Sequence, residues 1–145
     1  MTLEWKEEYS VGVSEIDAQH KRLFELVNKI DEIATDRKGK LVIYYKDILR
    51  IIDELGDYAV THFYDEEMAM EECGCPDYEE HKMKHELFSD EVSNIRDNLV
   101  NDENFRTDEN RLAELLSRLS NFLGNWLTNH ILVVDMKYKD RVRKV

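Results

Sequence analysis

The sequence predicts an all-α fold: an antiparallel up-down-up-down four-helix bundle with an extended N-terminal arm and a short C-terminal helical segment. Three observations carry that expectation. The chain of 145 residues holds five glycines and one proline, too few for the many tight turns of an all-β protein. Apolar residues recur at spacings of three, four and seven in four long stretches, the signature of helices with one buried face. The stretches between them are short, which forces neighbouring helices to run antiparallel. No repeat or linker divides the chain, so residues 1–145 are expected to form a single domain.

The first helix is expected from Ile16 to Arg37, with Leu23, Leu26, Val27 and Ile30 on its inner face. Ser14 is its candidate N-cap and Asp17, three residues later, completes a variant of the capping box. A turn at Lys38, Gly39 and Lys40 separates it from the second helix, Leu41 to Glu72, whose stripe is Ile48, Ile51, Ile52, Leu55, Ala59 and His62. Cys73, Gly74, Cys75 and Pro76 punctuate its end. A third helix runs from Asp77 to Leu99 through Phe88, Val92 and Ile95, and the polar segment Asn101 to Thr107 reads as a loop. The fourth begins near Thr107 or Asp108 and carries Leu112, Leu115, Leu116, Leu119, Leu123, Trp126 and Leu127. Leu3, Trp5, Tyr9 and Val11 give the N-terminal arm the means to pack onto the bundle.

Twenty basic against thirty-two acidic residues leave a net charge of -12. Such a chain repels phosphate backbones and anionic lipid, which argues against nucleic acid and membrane surfaces as partners. No apolar run reaches the roughly 20 residues that span a bilayer. Glu4, Lys6, Glu7 and Glu8 stand where a secretory signal needs apolar residues, so a cytoplasmic protein is expected, monomeric by default.

All five histidines, His20, His62, His81, His85 and His130, fall on expected helices, and each of the four helices supplies at least one. His81 and His85 are four residues apart, about 40° around a helix, so both rings can converge on one cation. His62 and Glu66 repeat that spacing. His20 lies beside the stripe of Ile16, Leu23 and Val27, and His130 follows Trp126 by one turn. A lone histidine on an apolar face is usually a packing residue. Five of them aimed at one interior, with carboxylates at ligand spacing, leave many buried polar groups unpaired unless a metal joins them. The donors exceed what one tetrahedral zinc needs, and nitrogen and oxygen without thiolate suit a two-iron site.

These residues sit in four segments, WKEEYSVGVSEIDAQH from Trp5, HFYDEE from His62, EEHKMKH ending at His85 and NWLTNHILVVDMKY from Asn125. Together they closely resemble the bacterial hemerythrins, over nearly the whole chain and in the family's order. The resemblance implies that His81, His85 and His130 bind one iron and His20 and His62 the other. Glu66 and Asp135 then bridge the pair with an oxo or hydroxo group. It implies reversible O₂ binding, for carriage, storage or sensing, with O₂ held end-on as hydroperoxide on the two-histidine iron. Small anions such as azide would take that place in the oxidised state. The alternative is a diiron redox enzyme that reduces peroxide or nitric oxide; the primary expectation is a binder, not an enzyme. The family's dry O₂ pocket maps to Leu23, Phe63, Trp126, Leu127, Ile131 and Leu132, and Tyr138 lies near the site with a capping or packing role equally open.

Asp135 depends most on the resemblance. Five residues from His130 amount to about 500° on a regular helix, 140° off the histidine's direction. The fourth helix must therefore end, kink or bulge between Ile131 and Val134, where no proline explains it.

Other signals rank lower. No Glu-x-x-His pair supports a ferritin-like oxidase, Lys82 stands where a His-Glu-x-x-His peptidase needs its glutamate, and no Cys-x-x-Cys-His is present for covalent haem. Cys73 and Cys75 read as reduced loop thiols, Met68, Met70 and Met83 as gap fillers. The basic tail Lys137, Lys139, Arg141, Arg143 and Lys144 reads as a solvated helix end.

Overall fold

The architecture comes from a computed structural model that describes residues 3–36 and 39–139. It is helical throughout: α1 (Ser14–Asp36), α2 (Tyr45–Cys73), α3 (Tyr78–Asn101), the single turn α4 (Asn104–Thr107) and α5 (Glu109–Asn129). Of the four long helices, α1 packs against α2 and α5, and α3 against α2 and α5, which closes the bundle. The end of α1 at Arg37, the turn at Lys38, and Arg141, Arg143 and Lys144 lie outside the described residues. No helix among the described residues is long and apolar enough to cross a membrane.

Boundaries differ from the sequence reading where a distant group captures the backbone. The second helix starts at Tyr45 rather than Leu41, because Leu41–Tyr44 forms a 3₁₀ turn. The Leu41 and Val42 amides both donate to the Glu109 carboxylate, at 2.8 and 3.0 Å. Asp17 does not serve a capping box. Its two oxygens accept from the Ser10 hydroxyl and the Val11 amide, at 2.5 and 2.9 Å, and so tie the arm to the start of α1. The segment expected as loop contains α4, and Asp108 caps α5 by accepting from the Arg111 amide at 3.2 Å.

The reading of Cys73 and Cys75 as free thiols is corrected: they are joined by a disulfide. Gly74, with φ 62°, turns the chain back through the left-handed region and brings their Cα atoms to 5.2 Å, within bridging range.

The arm packs as expected. Trp5 and Tyr9 lie 5.9 and 5.4 Å from the Phe24 ring, and Asn28 clamps the Leu3 backbone by donating to its carbonyl and accepting from its amide. The core divides in two. A large apolar cluster fills most of the bundle, and a small one of Val11, Val13, Ile16, Met70, Cys75 and Tyr138 closes one end. Along α1, His20 falls between Ile16 of the small cluster and Leu23 of the large one; along α2, Glu66 falls between Met70 and Phe63. A polar layer thus lies between two apolar ones.

Candidate metal centre

That layer consists of His20, His62, Glu66, His81, His85, His130 and Asp135, the seven polar or charged residues buried among those described, none more than 3% exposed. Each long helix contributes. α1 brings His20, α2 brings His62 and Glu66 on one face, and α3 brings His81 and His85 from its first turns. The continuation of α5 brings His130 and Asp135.

That continuation is irregular where the sequence required it. His130–Val134 is a π-helical turn, in which the Asp135 amide donates to the His130 carbonyl five residues back. The wider turn carries a residue five positions on round to the same face. His130 Nε2 and Asp135 Oδ1 accordingly stand 2.9 Å apart. The same turn sends Ile131 and Val134 inward and Leu132 and Val133 outward, so Leu132, expected on the dry wall, is 38% exposed.

The two carboxylates split their oxygens between two groups of imidazoles. Glu66 Oε1 lies 2.7 Å from His81 Nε2 and 3.1 Å from His85 Nε2, while its Oε2 lies 3.4 Å from His20 Nε2 and 3.2 Å from His62 Nε2. Asp135 Oδ1 faces His81 and His130, and its Oδ2 faces His20 at 3.2 Å. Glu66, His81, His85, His130 and Asp135 form one group able to hold a cation, and His20, His62 and Glu66 form another.

Several features of the cluster suit a metal held between these atoms. His20 Nε2 and both Asp135 oxygens are buried within reach of partners yet make no hydrogen bond. The Nε2 atoms of His81 and His85 each lie 3.1 Å from His130 Nε2. Metal–imidazole bonds of about 2.1 Å put two nitrogens about 3.0 Å apart at a right angle and about 3.4 Å apart in a tetrahedron. The spacing suits an octahedral ion. His62 Nδ1 donates to Gln19 Oε1 at 2.7 Å and His85 Nδ1 to Glu67 Oε2 at 2.8 Å. Because those oxygens can only accept, the ring proton sits on Nδ1 and a lone pair on Nε2 points inward.

Without metal the layer is an ion-pair network. Burial pulls the His20 and His81 pKa values down, but the carboxylates of Asp135 and Glu66 close beside them outweigh it and raise both to about 9. Burial pushes the Glu66 and Asp135 pKa values up, and the surrounding imidazoles more than offset it, holding both carboxyls below the usual range. Burial dominates at His62, whose pKa is lowered.

The chain is matched over residues 11–142 by the model of the hemerythrin HHE cation binding domain. It belongs to the hemerythrin family. It is 34% identical over 141 residues to bacteriohemerythrin of Stenotrophomonas maltophilia (strain R551-3), a match spanning 97% of this chain and 82% of that protein. Bacteriohemerythrin of Clostridium acetobutylicum is 31% identical over 136 residues, 94% of this chain and 98% of the relative. A crystal structure of wild-type hemerythrin superimposes with a TM-score of 0.77 at 28% identity, covering 97% of each chain. The histidine and carboxylate cluster of this hemerythrin suits a metal-binding site.

Around the cluster, Leu23, Leu127 and Ile131 are buried. Phe63 stacks on His85 at 4.0 Å and the half-buried Trp126 stacks on His130 at 4.3 Å. Tyr138 is buried beneath it and its hydroxyl donates to Glu66 Oε2 at 3.1 Å; burial, then the two carboxylates, push its pKa well up. Sequence reasoning missed Gln19 and Glu67. Each adjoins a member of the cluster on its own helix, Gln19 before His20 and Glu67 after Glu66, and turns about 100° toward a histidine of the next helix. That position beside a cluster member is the signal that could have found them.

Proposed function

We propose that this hemerythrin, as one domain of residues 1–145, binds O₂ reversibly at a pair of iron ions. His81, His85 and His130 would hold one ion, His20 and His62 the other, and Glu66 and Asp135 would span both. The observation that carries the reading is the division of the two carboxylates, one oxygen toward the three-histidine group and one toward the pair. When bound, the iron pair supplies the two electrons that reduce O₂ while it is held.

The protein's residues decide where and how long. With carboxylate oxygens shared evenly, the His20–His62 side is one protein donor short, and O₂ has its place there; azide and similar small anions take it in the oxidised state. Leu23, Phe63, Trp126, Leu127 and Ile131 pack beside the histidines and would exclude water from the bound O₂. Tyr138 holds Glu66 from the opposite side. These features favour a binder over an enzyme.

Spectra test the reading. Anaerobically reduced protein should be nearly colourless, gain visible charge-transfer bands in air and lose them under vacuum. Steady turnover of peroxide or nitric oxide with no stable oxygenated form would favour the redox enzyme instead. Proton release offers a second check. Imidazoles must be neutral to ligate, and His20 and His81 carry protons at pH 7 because their pKa values stand near 9. Adding ferrous iron to metal-free protein in weak buffer at pH 7 should therefore release at least those two protons per chain. The release should diminish above pH 9.

A further inference from the structure

We infer that Glu67 and Gln19 make the two halves of the centre electronically unequal, so that the three-histidine side favours the oxidised ion and the two-histidine side the reduced one. The inference rests on the two-metal reading above.

The asymmetry lies behind the ligands. On the three-histidine side, the proton of His85 Nδ1 is held by a carboxylate, Glu67 Oε2 at 2.8 Å. The glutamate side chain is 17% exposed, so water screens its charge only in part. A carboxylate on the far nitrogen draws the proton and makes the imidazole a stronger donor, which stabilises the more highly charged ion.

On the two-histidine side, His62 Nδ1 meets the neutral amide oxygen of Gln19 at 2.7 Å. The nearest carboxylate in that chain is one step further out, where Gln19 Nε2 donates to Asp65 Oδ2 at 2.8 Å. The other imidazole on this side, His20, has no hydrogen-bond partner at Nδ1. Neither ring is backed directly by a negative charge. The side placed for O₂ is thus the side whose ligands least favour ferric iron in the resting state, while the opposite side is built to hold the positive charge that develops. Glu67 and Gln19 are positioning residues, since both act through a histidine.

The test uses two near-isosteric exchanges in the full iron-loaded chain. Glu67→Gln keeps the hydrogen bond to His85 and removes the charge; Gln19→Glu adds a charge behind His62. In spectroelectrochemical titration, Glu67→Gln should reduce the preference for the oxidised over the reduced pair about tenfold, an upward shift of 59 mV for a one-electron step. Gln19→Glu should shift it downward. Ferrous-iron titration of metal-free Glu67→Gln should show one of two sites weakened about 10–100-fold and the other unchanged. Potentials equal to wild type in both variants, or displaced in the same direction, would overturn the inference. Fewer than two irons in wild-type protein would instead overturn the two-metal reading, so the two failures are distinguishable.

Discussion

Glu66→Ala should leave the purified chain with fewer than two irons and abolish its air-dependent colour. Among the described residues, Glu66 alone belongs to both groups of donors. Its Oε1 stands at 2.7 and 3.1 Å from two imidazoles of one group, its Oε2 at 3.4 and 3.2 Å from both of the other. Alanine removes a donor from each side and the restraint on their separation. It also strips a buried negative charge from among imidazoles held protonated, which should cost the metal-free protein about 3–5 kcal/mol. Elemental analysis beside thermal unfolding measures both effects. Two retained irons would remove Glu66 as a bridge.

An alanine inserted between Val133 and Val134 should weaken metal binding by at least about a hundredfold, beyond the usual cost of losing an outer hydrogen-bond partner. His130 and the aspartate, five residues apart, share a face only because of the π-helical turn. Six residues bring the aspartate about 240° round a regular helix, and no single wide turn recovers it. Deleting Val133, which is exposed, tests the converse. Four residues on a regular helix return the aspartate to about 40° from His130, so the deletion should keep far more metal than the insertion. Equal binding by the two variants, read by isothermal titration with iron, would show that Asp135 is not held in place by this turn.

The helices and donors were legible to different degrees, for physical reasons. Periodicity located all four long helices because a buried stripe repeats locally. It placed the start of α2 four residues early because the carboxylate of Glu109, far along the chain, captures the Leu41 and Val42 amides. The irregular turn after His130 was readable because the family resemblance put His130 and Asp135 in one site at a spacing that a regular helix forbids. Its consequence for Leu132 was not, since which residues a widened turn expels depends on its particular backbone path. Gln19 and Glu67 escaped notice because they serve histidines of neighbouring helices, and one-dimensional spacing does not report side-chain reach between helices. The disulfide across Gly74 follows from a left-handed backbone turn that composition leaves open.

The two-part core has a consequence for how the protein matures. Away from the donor layer, Ile30, Leu41, Ile48, Ile52, Leu99, Leu112 and Leu119 are each no more than 1% exposed and involve no metal. That half can collapse on hydrophobic burial alone, while the donor end is neutralised provisionally by protons. Cofactor insertion then becomes the filling of a ready-made cup, unlike a zinc finger, whose chain has no shape until its ion arrives. A newly synthesised molecule can wait, folded, for its metal.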